Sequence, residues 1–400
     1  MDKRVLAGIA AAAVAATAFG SARAASEQGV LEGRAILPAE TFAPGPPSGA
    51  FIGGPVINGV PVPFASQPVQ GFSAVLPAGG HRFWVMEDNG YGAKANSSDF
   101  LLRMYLVTPQ FKTAHGGSGS VSVGDFIQLR DPDQKIPFAL TRPDRLLTGS
   151  DFDIESVRKV KDGTLWFGDE FGPFLLHTDA TGKVLGAPIP LPGVQAPENP
   201  FLHGAQPNLP SSGGFEGMSV SQNGKTLYPM LEKAVTGDDP QLRRILEFGV
   251  RHESYTGMRW WYRLDAGSVS IGDFTQVDAH RFLVIERDNE QGATAAIKRS
   301  YEIDLRRVNP DGTLVKTLVV DLMNIADPAG ISLPGRPGDI GLGSTFAFPY
   351  VTIEDVLPLD DEHLLVINDN NFPFSTGRNP ALPDYEDFVV VRTPALGAEG

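Results

Sequence analysis

The chain has 400 residues, 42% of them hydrophobic and 20% charged, with 45 glycines and 33 prolines, so it can bury a sizeable core but is too rich in turn formers for long helices. Its formal net charge of −14 argues against nucleic acid or an anionic membrane surface as a partner, and it makes an anionic substrate awkward unless a bound cation or a local basic cluster intervenes. It has no cysteine, which removes disulfides, thiolate nucleophiles and Cys-ligated zinc.

Lys3 and Arg4, the apolar run Val5 to Gly20 and the small-x-small site Ala22-Arg23-Ala24 read as a secretory signal peptide cleaved after Ala24. The run is too short and Ala-rich to hold a bilayer span, and no later segment resembles one. The expectation is a soluble, exported monomer, periplasmic if the source is Gram-negative. Residues 25–67 are Gly/Pro-rich, and Arg34 to Leu37 is a strand expected to complete the last sheet of a closed ring.

Residues 68–395 repeat one unit, a β-hairpin that ends on acids or amides. Gly71 to Val75 leads through Gly79-Gly80 into Phe83 to Met86 and ends on Glu87-Asp88-Asn89. Third and outer strands follow at Leu101 to Val107 and Phe126 to Leu129. The second copy runs from Ile154 through Asp162-Gly163 to Leu165-Trp166-Phe167, ending on Asp169-Glu170. Asp-Gly between β-prone runs is a strong hairpin signal, read here as a primed turn. Phe174 to His177 follows, and residues 187–213 read as a long loop over one face. The third copy, Phe215 to Val220, Asn223-Gly224 and Leu227 to Leu231, ends on Glu232-Lys233. The fourth, Ile271 to Val277 and Phe282 to Ile285, ends on Glu286-Arg287-Asp288-Asn289. The fifth, Ile353 to Val356 and Leu364 to Ile367, ends on Asn368-Asp369-Asn370-Asn371. Ala293 to Lys298 is the nearest approach to a helix and is too short to stand alone. The pattern predicts an all-β fold, a β-propeller of five four-stranded blades, or six if a long loop hides a degenerate copy.

No nucleophile elbow, H-E-x-x-H motif or P-loop is present, and the seven histidines lack ligand spacing. What remains is carboxylates at matched positions. Glu155, Glu216 and Glu354 open strands, and Asp169, Glu232 and Asp369 lie 14, 16 and 15 residues after them. Each acid by itself could cap a turn or face water. As a set brought to one rim, they would repel unless a cation sits among them, and a hard cation such as Ca²⁺ takes about six to eight oxygen ligands. The expected metal ligands are Asp88, Glu155, Asp169, Glu216, Asp288, Glu354 and Asp369, with Glu155, Glu216 and Asp369 taking part in catalysis. Lys233 and Arg287 are the cations placed to hold phosphate oxygens or to neutralise neighbouring acids.

The segments GFSAV, HRFWVMEDNG, DIESVRKVKDGTLWFGDEFGPFLLHTD, GGFEGMSVSQNGKTLYPMLEK, FLVIERDN and IEDVLPLDDEHLLVINDNNFP together resemble the phytase-like family described as "esterase-like activity of phytase". The resemblance spans roughly residues 68–393 and implies a secreted propeller acting on phosphate esters or other esters. The Arg-His-Gly signature of histidine acid phytases is absent, with only Arg251-His252-Glu253 in its likeness. Metal-assisted hydrolysis is then the route left open, with Ca²⁺ as the expected cofactor and a small phosphorylated ester as the substrate class. Two other readings stand beside it. One is a carboxyl-ester hydrolase or lactonase using Glu155, Asn289 and Asp369 around a divalent ion. The other is a non-catalytic propeller with structural Ca²⁺ whose loops 187–213 and 327–350 grip a partner.

Overall fold

In the computed structural model, which describes residues 28–396, each of the five hairpins is the inner half of a four-stranded antiparallel unit, the first and fifth of which are joined into one larger sheet by a parallel bridge between Ile36 and Ser120. The expected signal peptide, residues 1–24, lies outside the described residues. The first sheet runs outward through Phe72–Gly79, Arg82–Glu87, Arg103–Gln110 and Ser120–Gln128. The second contains Ile154–Lys159, Leu165–Asp169, Phe174–Thr178 and the two-residue strand Ile189–Pro190. That last strand falls inside the segment read as a loop, because Pro190 and the turns after it hide the pairing from any periodic pattern. The third contains Gly217–Val220, Thr226–Met230, Leu242–Gly249 and Ser254–Arg263. The fourth contains Ser270–Gln276, Arg281–Arg287, Lys298–Val308 and Leu314–Asp321. The fifth contains Thr352–Pro358, His363–Asp369 and Glu386–Arg392, with Val30–Leu37 outside them. Helical structure among the described residues is limited to single 3₁₀ turns at Val250–His252, Gly292–Thr294 and Pro394–Leu396.

Each sheet's inner strand packs against the next, and the fifth packs against the first, which closes a ring about one axis. This is a β-propeller. Side chains alternate between the two faces of each strand; in the inner strands both faces are buried between neighbouring sheets, while outer strands such as Ser254–Arg263 are largely exposed. Five apolar clusters fill those gaps. Ile154 and Phe167 meet Met86 between the first and second sheets, Trp166 meets Met218 and Phe248 between the second and third, and Met230 meets Ile271 between the third and fourth. Leu283 meets Ile353 and Val366 between the fourth and fifth, and Phe72 meets Phe388 across the seam. The Asp162-Gly163 turn is a three-residue loop, not the expected primed pair: Gly163 N–H reaches Val160 O at 3.0 Å, and Gly163 sits at φ 91°.

The seam is fastened by a buried polar network. Val30–Leu37 pairs antiparallel with Glu386–Arg392. Arg34 Nε and Nη2 donate to Asp387 at 2.8 and 2.9 Å, and Arg34 Nη2 also reaches Tyr385 Oη at 2.6 Å. Arg378 and Tyr350 donate to the same carboxylate at 3.2 and 3.0 Å. Two guanidiniums hold the Asp387 carboxyl below the usual range against the pull of its burial.

Candidate metal centre at the axial mouth

A repeated irregularity in pairing builds the site. Register shifts interrupt the inner hairpin at Phe72/Ala74, Ile154/Ser156, Ile271/Asp273 and Ile353/Asp355. Each shift is a β-bulge that leaves one extra residue, namely Ser73, Glu155, Gly272 and Glu354. Bulges at a rim re-aim the side chain they free. In the third sheet pairing begins at Gly217, so Glu216 holds the corresponding place. A second row comes from the end of each hairpin. Asp88, Glu170 and Glu232 donate their backbone N–H to Gly71, Asp153 and Gly214, each at 2.8 Å, while Arg287 and Asp369 pair with Ser270 and Thr352. Two glycines permit the approach. A Cβ at Gly272 would lie 2.1 Å from Ile353 O, and one at Gly214 would lie 2.5 Å from Glu170 Cα.

Side chains from all five sheets meet at this mouth. Ser73 Oγ donates to Glu354 at 2.9 Å across the seam, and Ser270 Oγ donates to Glu232 at 2.8 Å. Arg287 Nη2 lies 3.3 Å from Glu232 and 3.7 Å from both Glu216 and Glu354. On the other side, Asp153, Glu155 and Glu170 each offer one carboxylate oxygen, all within 4.8 Å of one another. Behind this ring Arg158 reaches across the axis from the second sheet, donating to Asp273 at 3.0 Å and to Phe274 O at 2.9 Å in the fourth.

The electrostatics follow from crowding. Burial, then repulsion from neighbouring carboxylates, raises Glu155, Glu170 and Glu216 well above the usual range. Burial raises Glu354 to about 8, with the Asp369 charge adding to it and Arg287 opposing. Burial likewise raises Asp153 and Asp369 to about 6, against hydrogen bonds that favour their ionised forms. Five oxygens at the mouth, Asp153 Oδ1, Glu155 Oε2, Glu170 Oε1, Glu216 Oε1 and Glu232 Oε2, are buried without a hydrogen-bond partner, the last beside the Lys233 ammonium at 3.1 Å. Unpartnered buried carboxylate oxygens this close together are a donor set for an oxygen-seeking cation. The residues fit a Ca²⁺-like ion, and a buried acidic cluster able to hold a metal ion is present.

The seven expected ligands do not all share this mouth. Asp88, Glu155, Glu216, Glu354 and Asp369 converge there. Two expectations need correction. Asp169 accepts the N–H of Asp153 at 2.9 Å and of Gly172 at 2.7 Å, one on each oxygen, so it caps the turn. Asp288 accepts Ala296 and Ile297 N–H at 2.9 and 2.8 Å and pairs with Lys298 at 2.8 Å, and these partners pull it below the usual range despite desolvation. It organises its own loop; its neighbour Arg287 is the residue at the axis. Asp369 is partly capped as well, by Thr352 Oγ1 at 2.7 Å and Asn371 N–H at 2.6 Å. Lys233 pairs with Glu232 at 3.1 Å and donates to the carbonyls of Ser211 and Ser212. Sequence reasoning left Glu170 and Glu232 out of the ligand set and did not single out Asp153. The signal that finds Glu170 is the distance from the bulge residue: Ser73 to Asp88, Glu155 to Glu170, Gly272 to Arg287 and Glu354 to Asp369 are each fifteen residues apart, while Glu232 lies sixteen after Glu216.

Fold and site together define the class: an all-β propeller whose axial mouth gathers carboxylates from successive sheets. The chain belongs to the phytase-like family described as "Esterase-like activity of phytase", whose model matches residues 67–372, and at family level it is a hydrolase-type protein. A protein of Arthroderma benhamiae named "Uncharacterized secreted protein" is 26% identical over 188 residues, covering 37% of this chain and 36% of that one. The match thus spans about a third of that relative's length. Among solved structures, a luciferin-regenerating enzyme is similar at 10% identity and a TM-score of 0.38, covering 91% of this chain and 97% of that one. A GH43 β-1,3-galactosidase is similar at 9% identity and a TM-score of 0.45, covering 82% and 57%. No helix among the described residues is long and apolar enough to cross a membrane.

Proposed function

We propose that the chain is an exported, divalent-cation-dependent hydrolase of phosphate esters, with Ca²⁺ as the ion that suits the site best. The observation carrying this is the triad Asp153, Glu155 and Glu170, three buried carboxylates within 4.8 Å with an unpartnered oxygen on each. The family description, with its pairing of esterase and phytase, supports the reaction class. Asp153, Glu155 and Glu170 would hold the ion. When bound, it would supply charge for a substrate oxyanion and lower the pKa of a coordinated water. Arg287 and Lys233 orient a phosphate by charge-assisted hydrogen bonds. Glu216, with one oxygen free of donors and its carboxyl pushed well above the usual range by burial and then by neighbouring carboxylates, is the group placed to take and return a proton. The name of the fungal relative supports export.

A carboxyl-ester or lactone substrate is the second reading, and charge favours it. Eight carboxylates face two cations at the mouth, which a neutral substrate tolerates better than a phosphate dianion. Turnover of nitrophenyl phosphate, nitrophenyl acetate and a γ-lactone should be compared on protein stripped with chelator and then resupplied with Ca²⁺. Phosphate release that needs Ca²⁺ and is lost in Glu155→Gln supports the first reading. Ca²⁺-dependent turnover of the acetate or lactone alone replaces it with the second. No turnover on any ester, with melting that still responds to chelator, leaves a binding propeller.

A further inference from the structure

We propose that Arg287 is a built-in second cation, so that the axial mouth admits one divalent ion where its carboxylates would otherwise hold two. This rests on the metal-site reading above and adds the stoichiometry of that site.

The acids divide into two groups with different counter-charges. Asp153, Glu155 and Glu170 have no ion pair with Lys or Arg among the described residues, and each keeps an unpartnered oxygen. Glu216, Glu232 and Glu354, from two other sheets, surround the Arg287 guanidinium at 3.7, 3.3 and 3.7 Å. The two 3.7 Å contacts are too long for hydrogen bonds, Nη2 makes one long hydrogen bond to Glu232, and Nη1 donates to Asn289 Oδ1 at 2.6 Å. Arg287 is therefore not locked onto one carboxylate as a bidentate partner. It sits among three, as a central cation does. Its side chain is 8% exposed, and its Nε has no acceptor. Desolvation works against its charge, and Glu216, Glu232, Glu354 and Asp369 more than restore it.

The repeat explains why the cation comes from this sheet. The fourth sheet supplies no carboxylate to either row, since its bulge residue is Gly272 and its second-row residue is Arg287. Gly272 cannot carry an acid, because any Cβ there would strike Ile353 O. The sheet therefore contributes positive charge where each of the others contributes at least one acid. A guanidinium placed among three glutamates neutralises part of their repulsion and occupies the point where an ion would take the same oxygens. Removing it without replacing its charge should open that point to a second ion.

The test is calorimetric Ca²⁺ titration of chelator-stripped protein, with elemental analysis after desalting. Wild type should bind one Ca²⁺ that disappears in Glu155→Gln/Glu170→Gln. Arg287→Met should bind two, and Arg287→Lys, which keeps the charge, should stay at one. In Arg287→Met/Glu155→Gln/Glu170→Gln one ion should remain. If Arg287→Met does not fold, Arg287→Gln takes its place. A wild type with two Ca²⁺ lost through mouth substitutions, or an Arg287→Met protein that stays at one, overturns the assignment while leaving the metal site standing. A wild type that binds no Ca²⁺ overturns the metal reading itself.

Discussion

Glu170 and its neighbour Asp169 are chemically alike and adjacent, yet the structure gives their removal opposite signs. Glu170→Gln deletes a charge that lies within 4.8 Å of Asp153 and Glu155 oxygens. Two ionised groups at that separation repel by about 3.5 kcal/mol at an effective dielectric near 20. Partial protonation already relieves some of this, so metal-free Glu170→Gln should be more stable than wild type by about 1–3 kcal/mol near pH 8. The same change removes a ligand and should weaken Ca²⁺ binding at least tenfold, about 1.4 kcal/mol. Asp169→Asn instead places an amide where two backbone N–H donors need acceptors, in a fully buried position. That should cost about 2–3 kcal/mol and leave the calorimetric Ca²⁺ affinity within a few-fold of wild type. Urea unfolding in chelator reads the first quantity and titration the second. Should Glu170→Gln destabilise the stripped protein and Asp169→Asn abolish Ca²⁺ binding, the two residues have been assigned the wrong way round.

Three further outcomes follow from the same geometry. Glu354 is raised to about 8, and Asp153 and Asp369 to about 6, so in chelator the folded state holds protons that the unfolded chain has released. The stability of stripped protein should therefore fall as pH rises from about 4 through 8, by up to about 1.4 kcal/mol per unit for each such group, and saturating Ca²⁺ should flatten that slope; a stripped protein that grows more stable over this range contradicts the protonated acids. Arg34→Met leaves the Asp387 carboxylate with Arg378 and Tyr350 only, and should lower unfolding free energy by about 3 kcal/mol in urea; a loss below about 0.5 kcal/mol, the range of ordinary surface changes, would show that the seam does not depend on it. Gly272→Ala puts a methyl 2.1 Å from Ile353 O, so the fourth and fifth inner strands must separate; we expect a loss of about 3 kcal/mol together with weakened Ca²⁺ uptake, checked by melting and titration, and an unaltered protein would mean the strands have slack there.

The hairpins were legible because turn residues and alternating apolar runs are local signals, and the repeat of five made them a ring. The closing strand was legible for the same reason: a ring of sheets has one edge to cover. The bulges were not legible. They arise where an inner strand bends toward the axis, and nothing in I-E-S-V or I-E-D-V marks which of two adjacent residues is the extra one. That ambiguity put Asp169 in the ligand set in place of Glu170, since both follow Glu155 at a plausible distance. Asp288 was misplaced by the same slip of one residue, its partner at the axis being Arg287. Asp153 escaped notice because it precedes the strand, and its place depends on Glu170 N–H pairing back to its carbonyl at 2.8 Å. The Ile189–Pro190 strand was lost because two residues carry no period.

The fastening of residues 30–37 against 386–392 has a bearing on when the mouth comes into being. Asp153, Glu155 and Glu170 crowd one another as soon as their own hairpin forms, but Glu354 and Asp369 meet the acids of the first sheet only when the circle shuts. That event couples segments more than 350 residues distant, and contacts of such high order form slowly, so this part of the repulsion accompanies a slow step. On the metal reading proposed above, a cation available at that moment would ease assembly as well as serve the site. On that reading, the divalent-ion content of the compartment in which the chain folds should set how fast the circle closes.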